Sequence, residues 1–215
     1  MISDDLRAQL ARGCARLDVN LPAAAENALL DFVTLLVKWN AAYNLTAIRV
    51  PTDMVSKHLL DSLSVLPFLR GKRIVDVASG AGLPGIPLAL SCPERHFVLL
   101  DSNGKKTRFV THTVTTLGLR NVEVVQARAE DYRHAELFAT VISRAFASLF
   151  DFMRLAGHLG APDASFLAMK GQPPADEVQA LPAGFRATVH PLAVPGLEAR
   201  RCVVEIQKQV PGAEC

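Results

Sequence analysis

A chain of 215 residues, half of them hydrophobic, can bury a large core within one main domain. A net charge of only +2 argues against general basicity as a means of binding nucleic acid, so any RNA contact must come from a local patch. The four scattered cysteines and the acidic, amphipathic N-terminus predict free thiols, no metal site, no signal peptide, no membrane partner and a cytoplasmic location.

The first 70 residues read as helices. Apolar residues at helical spacing predict one helix over 2–18, a second from Pro22 to about Asn40, and a third over 51–69. From residue 71 onward, apolar strands alternate with helices. We therefore expect an N-terminal helical extension over 1–70 and a sheet domain over 71–215, joined in one compact unit.

Seven apolar runs predict strands, at 73–78, 96–101, 122–126, 138–143, 164–169, 185–192 and 201–207. Helices are predicted between the early strands, at 84–91, 104–118 and 148–159. This alternation indicates an α/β fold with a mostly parallel sheet covered on both faces. The last two strands are joined by a loop containing Pro195-Gly196, which predicts a hairpin and one antiparallel strand at the end of the sheet.

A glycine-rich turn follows the first strand. Gly80, Gly82 and Gly85 match the spacing GxGxxG between a strand and a helix. Glycine suits such a turn because positive φ angles and close backbone approach exclude a Cβ atom. The turn alone fits a dinucleotide site, an S-adenosylmethionine site, or a tight turn without a ligand.

Three carboxylates favour an S-adenosylmethionine site. Asp101 ends the second strand, where a carboxylate can accept hydrogen bonds from a ribose diol, and Glu130 follows the third strand, near where adenine would lie. Asp76 precedes the turn and would repel a pyrophosphate but attract a cationic sulfonium amino acid. The structural alternative is that these carboxylates merely cap helices.

Several motifs then occur in a fixed order: KWNAAYNLT, HLLDSL, DVASGAGLPGIPLAL, LLDSNGKKTRF, NVEVVQARAED, VISRAFASL and MKGQPP. Together they resemble the bacterial 16S rRNA guanine-N7 methyltransferases, also called the glucose-inhibited division protein B family, from about Lys38 to Lys208. The resemblance implies a class I S-adenosylmethionine-dependent methyltransferase fold, which is Rossmann-like. It also implies that the methyl acceptor is N7 of a guanine in 16S rRNA, in naked RNA, the small ribosomal subunit or an assembly intermediate. We expect a monomer.

The resemblance also implies a set of cofactor-binding residues, to which Asp76 is added from its charge: Asp76, Ala78, Gly80, Gly82, Leu83, Asp101, Ser102, Asn103, Ala129, Glu130 and Arg144. One position departs from the family pattern, which usually has glycine where this chain has Ala78. A methyl group there would crowd the methionine end of the cofactor or shift the backbone.

Guanine N7 has an in-plane lone pair and no proton to lose, so methyl transfer to it needs no general base. Alignment and charge stabilisation should supply the catalysis. Arg144 is the candidate catalytic residue: it can bind a phosphate, the guanine O6 edge or the cofactor carboxylate, whereas the structural alternative is an ion pair with Asp131 or Glu130.

Other cations are candidate RNA contacts. Lys170 ends the fifth strand and can hold a phosphate, although a solvated lysine is an equal alternative. Three further clusters are candidate phosphate contacts, while the structural alternative is a solvated surface: Lys105, Lys106 and Arg108; Arg70, Lys72 and Arg73; and Arg200 and Arg201. His58, one helical turn from Asp61, is predicted to be a hydrogen-bonded structural histidine, and Trp39 and Tyr43 are predicted to pack the helical extension.

Two other functions stay open on the residues alone. One is an S-adenosylmethionine-dependent methyltransferase with another acceptor, and the other is a non-catalytic module that binds a cofactor or RNA.

Overall fold

The seven predicted strands form one sheet. The computed structural model describes residues 4–144 and 146–209. Its strands are β1 (Arg73–Val77), β2 (His96–Asp101), β3 (Val122–Gln126), β4 (Phe138–Ser143), β5 (Gly160–Lys170), β6 (Phe185–Leu192) and β7 (Arg201–Lys208). Their order in the sheet is β3-β2-β1-β4-β5-β7-β6, with β1 to β5 parallel and β7 antiparallel to both of its neighbours.

The antiparallel strand is β7, and it lies one position inside the edge. Its nearly continuous buried run suits an interior place, whereas β6 alternates between exposed and half-buried positions and forms the edge. The hairpin prediction is confirmed, and the insertion of β7 brings its first residue beside the carboxyl end of β5.

The helices cover both faces of the sheet. They are α1 (Asp4–Arg16), α2 (Ala23–Tyr43), α3 (Pro51–Met54), α4 (Asp61–Leu63), α5 (Gly85–Ser91), α6 (Gly104–Leu117), α7 (Leu149–Ala156) and α8 (Ala175–Gln179). Phe32 of α2 and Phe109 of α6 belong to a hydrophobic cluster on one face, and Phe152 of α7 belongs to the cluster on the other. The five-residue α8 was not predicted, because it is too short to show a helical period.

The third predicted helix is shorter and less regular than expected. Between α3 and α4 the chain forms a π-helix over Val55–Leu60, and after Leu63 only a 3₁₀ turn follows, over Leu66–Phe68. Pro67 explains the end, because proline has no N–H for the carbonyl four residues earlier and its ring clashes with that turn. π-Helical segments often occur at functional sites, and this one leads directly into Asp61.

Residues of the N-terminal helices and of the sheet share one hydrophobic cluster. Leu10 of α1 and Phe32 of α2 belong to the same buried cluster as Ile74 of β1 and Phe97 of β2. The division of the chain at residue 70 stays a prediction. Among the described residues, no helix combines the length and apolar character needed to cross a membrane.

Candidate active site

The glycine turn packs tightly against Ile86 of α5 and Asp76 of β1. Gly80 and Gly82 have φ angles of 59° and 80°, and Ala78 has a φ of 57°. A Cβ on Gly82 would lie 2.6 Å from Ile86 Cγ1, and one on Gly85 would lie 2.8 Å from Asp76 Oδ2. Gly80 differs, because a Cβ placed there would lie 4.0 Å from its nearest neighbours, the Ala78 carbonyl oxygen and Lys106 Nζ. The turn therefore needs glycine at position 82 for packing, and at position 80 for backbone conformation.

Asp101 ties the turn to the end of β2. Its Oδ2 accepts a hydrogen bond from the Gly80 N–H at 2.8 Å, and its Oδ1 accepts one from the Asn103 N–H at 2.8 Å. The Asn103 side chain in turn caps α6 by accepting from the N–H groups of Lys105 and Lys106. Each carboxylate oxygen of Asp101 keeps further lone-pair capacity for a ligand.

A cavity of 140 Å³ opens beside Asp101, at the carboxyl ends of β1, β2 and β3. Its lining contains five of the predicted cofactor residues and five that were not predicted: Ala78, Asp101, Ser102, Ala129 and Glu130, with Leu100, Ala127, Arg128, Phe146 and Leu155. Gly82 and Leu83 are buried and are not part of this lining. Phe146 is half-buried and contributes to the cavity wall.

Asp76 lies beneath the turn and is fully buried. Its Oδ2 accepts a hydrogen bond from the Gly85 N–H at 2.8 Å, at the start of α5, and its Oδ1 has no hydrogen-bond partner. Burial raises the pKa of Asp76 to about 7, against the opposing effects of the Gly85 N–H and Arg144. A buried carboxylate with one unsatisfied oxygen destabilises the fold, which is typical of functional sites.

The burial of Asp76 predicts that its ionised form destabilises the folded protein, so this destabilisation depends on pH. The substitution Asp76→Asn should remove it. Because the pKa of Asp76 is higher in the folded chain, near 7, than in the unfolded chain, near 4, the folded state retains a proton that the unfolded state loses. The stability of the wild type should therefore fall relative to the variant as pH rises from 4 to 7, with a slope approaching about 1.4 kcal/mol per pH unit. Urea unfolding of both proteins at several pH values measures this difference. A difference that does not vary with pH would contradict the predicted burial effect.

At Ala78, where the chain departs from the family pattern, the backbone is strained. Ala78 is one of three non-glycine residues with positive φ in the described chain, and it forms part of the cavity wall. Left-handed backbone costs an L-residue about 1–2 kcal/mol because its Cβ crowds the backbone.

We expect Ala78→Gly to stabilise the protein by about 0.5–1 kcal/mol. The relief of backbone strain is partly offset by the greater freedom that glycine gives the unfolded chain. Chemical denaturation measures the change, and Ala11→Gly, within helix α1, is the control that should destabilise by about 1 kcal/mol. If Ala78→Gly lowered the stability, the predicted backbone strain at Ala78 would be wrong.

A second cavity, of 320 Å³, lies at the carboxyl ends of β4 and β5 and the start of β7, and we call it the cleft. It is rich in cationic side chains and contains one buried carboxylate; its lining is Ile48, Lys57, His58, Asp61, Arg144, Met169, Lys170, Gly171 and Arg201. The two cavities flank the junction between β1 and β4, where the strand order reverses direction. Ligands of open α/β sheets bind at such switch points.

Asp61 joins the two arginines of the cleft. Its Oδ2 lies 3.4 Å from Arg144 Nη1, and its Oδ1 lies 3.2 Å from Arg201 Nε. Only 4% of the Asp61 side chain is exposed, whereas about a quarter of each arginine side chain is exposed. Arg144 Nη1 also lies within hydrogen-bond distance of the Lys57 carbonyl, at 3.3 Å. Arg144 therefore pairs with Asp61, rather than with Asp131 or Glu130 as the structural alternative had it.

His58 is hydrogen-bonded within the fold, as the sequence predicted. Its Nδ1 lies 3.0 Å from the Lys57 carbonyl and its Nε2 lies 3.0 Å from Thr46 Oγ1, which occupies both ring nitrogens. Burial, reinforced by the charge of Arg144, lowers the pKa of His58 to about 4. The imidazole is therefore neutral at pH 7.

Lys170 lines the cleft, but its ammonium group is already well satisfied. It donates to the carbonyls of Phe146 and Ala147 and forms a 3.0 Å ion pair with Glu177 of α8. Glu177 also accepts a hydrogen bond from the Leu149 N–H at the start of α7. These contacts fasten the segment that contributes Phe146 to the first cavity, so Lys170 has a structural role in addition to its place in the cleft wall.

Of the other predicted phosphate contacts, Arg73 is paired with Glu136, and those near α6 and β7 lie at two places. Lys105 is exposed at the start of α6, and Lys106 Nζ lies 4.0 Å from the position of a Cβ on Gly80, beside the glycine turn. Arg201 belongs to the cleft, whereas the exposed Arg200 is not among the cleft residues and contributes its carbonyl to Arg201. Within residues 4–144 and 146–209, no group of three or more His, Cys, Asp or Glu side chains is placed to hold a metal ion.

A family model and the relatives similar in sequence name the same protein family. The family model described as rRNA small subunit methyltransferase G matches residues 25–204. A protein of Ectopseudomonas mendocina named ribosomal RNA small subunit methyltransferase G is 51% identical, covering 94% of this chain and 96% of its own length. The protein of that name from Pseudomonas aeruginosa PAO1 is 49% identical, covering 93% of this chain and 94% of its own length.

Solved structures agree on the fold alone. A precorrin-6y C5,15-methyltransferase of Geobacter metallireducens aligns with a TM-score of 0.55 and 15% identity, over 78% of this chain and 92% of that one. A predicted O-methyltransferase of Agrobacterium tumefaciens aligns with a TM-score of 0.55 and 22% identity, over 72% and 82% of the two chains. The predicted Rossmann-like methyltransferase fold is confirmed, and the chain belongs to the rRNA small subunit methyltransferase G family.

Proposed function

We propose that this protein transfers the methyl group of S-adenosylmethionine to N7 of a guanine in 16S rRNA. The observation that carries the proposal is the pair of cavities at the strand switch point, one with a buried carboxylate beside a glycine turn and the other with paired arginines. The family and its relatives' names support an rRNA acceptor.

The first cavity suits the adenosyl part of the cofactor. We assign the ribose hydroxyls to Asp101, whose oxygens retain lone pairs after binding Gly80 and Asn103. Ala127, Ala129 and Phe146 offer an apolar wall for adenine. Of the other predicted cofactor residues, Ser102 and Glu130 line this cavity, and Gly82, Leu83 and Asp76 shape the turn beneath it.

The cleft suits the target guanine. S-adenosylmethionine supplies an electrophilic methyl group on a cationic sulfur, so the protein must place the N7 lone pair in line with it. Arg144 Nη1 is occupied by Asp61 and the Lys57 carbonyl, which leaves its other nitrogens to donate to guanine O6 or a phosphate. His58 is neutral and hydrogen-bonded at both ring nitrogens, which agrees with a reaction that needs no general base.

Charge neutralisation is the second task of the cleft. Positive charge passes from sulfur to the purine ring during transfer, and uncompensated arginines nearby would oppose it. Asp61 offsets the charge of Arg144 and Arg201 while fixing their positions. Arg144 therefore acts by binding and orientation, since a guanidinium stays protonated and cannot serve as a base.

The test is a transfer assay with S-adenosylmethionine labelled in its methyl group. The acceptors are naked 16S rRNA, small ribosomal subunits, assembly intermediates and a small-molecule extract. We expect label at a single guanine of 16S rRNA, sensitive to chemical cleavage specific for N7-methylguanine. Label only in another acceptor would support a different methyltransferase, and cofactor binding without transfer would support a non-catalytic module. The preferred form of the RNA, the monomeric state and the cytoplasmic location stay predictions.

A further inference from the structure

A groove of 510 Å³ lies along helix α6, outside the two cavities described above. One face of α6 supplies five of its residues at helical spacing, and α2 and β3 supply three more: Gly104, Thr107, Arg108, Thr111 and His112, with Trp39, Val124 and Gln126. The groove begins next to the proposed cofactor cavity, because Gly104 lies two residues after Ser102 and Gln126 directly precedes Ala127. The groove therefore begins at the carboxyl edge of the sheet on the β3 side of the cofactor cavity, whereas the cleft lies on the β4 side.

Three aromatic rings pack against one another at this groove: Trp39 and His112 line it, and Tyr43 lies beside Trp39. The Trp39 ring centroid lies 5.1 Å from that of His112 and 5.2 Å from that of Tyr43, with interplanar angles of 35° and 29°. Phe109 supports the indole from the core at 5.6 Å, which agrees with the predicted packing role of Trp39. Tyr43 and His112 are exposed, so a planar ligand can extend the stack without a cost for ordering the rings.

The charge of the groove is positive and uncompensated. Its lining contains Arg108 and no carboxylate, and Arg108 forms no ion pair within residues 4–144 and 146–209. Lys105 lies one helical turn before Arg108 and is also exposed. The nearby acidic residue of β3, Glu123, is directed to the other face of the sheet, where its charge acts on Tyr132. Stacking rings with unpaired cations suit a ligand that has both planar bases and phosphates.

We propose that this groove binds an unpaired nucleotide of the RNA substrate, with its base on the ring stack of His112, Trp39 and Tyr43 and its phosphate at Arg108. The inference rests on the proposed function, since it assumes RNA as substrate, and it adds a contact away from the methyl-transfer cleft. An acidic peptide would satisfy the cations but would leave the ring stack without a planar partner.

The test uses the fluorescence of Trp39, which is the only tryptophan of the chain. The full-length protein is titrated with a ten-nucleotide single-stranded RNA while S-adenosylhomocysteine saturates the cofactor site. We expect saturable quenching that weakens as salt rises. A duplex of the same length and inorganic polyphosphate should each quench far less, because neither presents an unstacked base.

Two variants keep the tryptophan as reporter. His112→Ala and Arg108→Gln change exposed residues of α6, and each should weaken RNA binding about 5- to 10-fold. The matched control is Arg154→Gln, on α7 at the opposite face of the sheet, which should leave the affinity unchanged. In the transfer assay, both groove variants should raise KM for RNA about 5- to 10-fold with kcat unchanged.

The outcomes separate this inference from the proposed function. Transfer to 16S rRNA without quenching, or with equal RNA affinity in wild type and both variants, overturns the groove assignment while the proposed function stands. Quenching that both variants weaken, in a protein that methylates no RNA, supports RNA binding in the groove but overturns the proposed function and, with it, the groove's role in binding a substrate. Binding of an acidic peptide, with no response to single-stranded RNA, also overturns the groove assignment.

Discussion

Replacing Asp101 with alanine should weaken the binding of S-adenosylmethionine about 100-fold or more, which corresponds to about 3 kcal/mol. The variant lacks both carboxylate oxygens that we assign to the ribose hydroxyls. It also loses the acceptor that fixes the Gly80 N–H and the Asn103 N–H, so the glycine turn and the start of α6 are no longer held together. Isothermal titration calorimetry with S-adenosylhomocysteine measures the effect.

Asp163 provides a matched control for this experiment. It is exposed near the start of β5 and lines neither cavity, so Asp163→Ala should change the affinity less than about threefold. Circular dichroism establishes that both variants fold. If folded Asp101→Ala bound the cofactor as tightly as the wild type, the ribose assignment would be wrong.

Asp61→Asn should lower kcat for methyl transfer about 100-fold while changing KM for RNA by less than about fivefold. The amide keeps the size of the side chain but removes the charge that holds Arg144 and Arg201 in place and offsets them. Two uncompensated guanidinium groups then oppose the positive charge that develops on the guanine, and their donors no longer have a fixed position. The cost falls on the transition state more than on substrate binding.

Asp53 supplies the control for this prediction. It pairs with Lys57 across one helical turn at 2.8 Å but is half-exposed, so Asp53→Asn should change kcat less than about threefold. A double variant of Asp61 and Arg144 should be less impaired than the sum of the single effects, because the two groups act together. A fall confined to RNA affinity, with kcat intact, would show that Asp61 serves binding only.

The motif HLLDSL already contained Asp61, yet its role could not be read from the sequence. Its partners Arg144 and Arg201 lie 83 and 140 residues away along the chain. Along the sequence, the nearest titratable neighbour of Asp61 was His58, one helical turn before it. In the fold, His58 instead satisfies its ring with Thr46 and the backbone, and Asp61 connects three separate segments of the chain.

For Lys170, the sequence suggested a role, but the structure shows other partners. From its place after an apolar strand, the sequence suggested a free phosphate ligand or a solvated lysine. The fold instead surrounds its ammonium group with two carbonyls and Glu177, a residue of the short helix that no period revealed. Local sequence gives the end of a strand, but the partners of a side chain there depend on which loops meet at that edge.

By itself, the sequence determined the features that depend on neighbouring residues. Each of the seven strands follows from a local apolar run, and the glycine turn follows from residues that tolerate positive φ and close packing, next to Asp101 at the end of β2. The tertiary structure alone decided what depends on strand order. Inserting β7 beside β5 brings Arg201 to Asp61, and enclosing β1 buries Asp76 and raises its pKa. Both effects come from burial and charge pairing between distant segments, which no local pattern encodes.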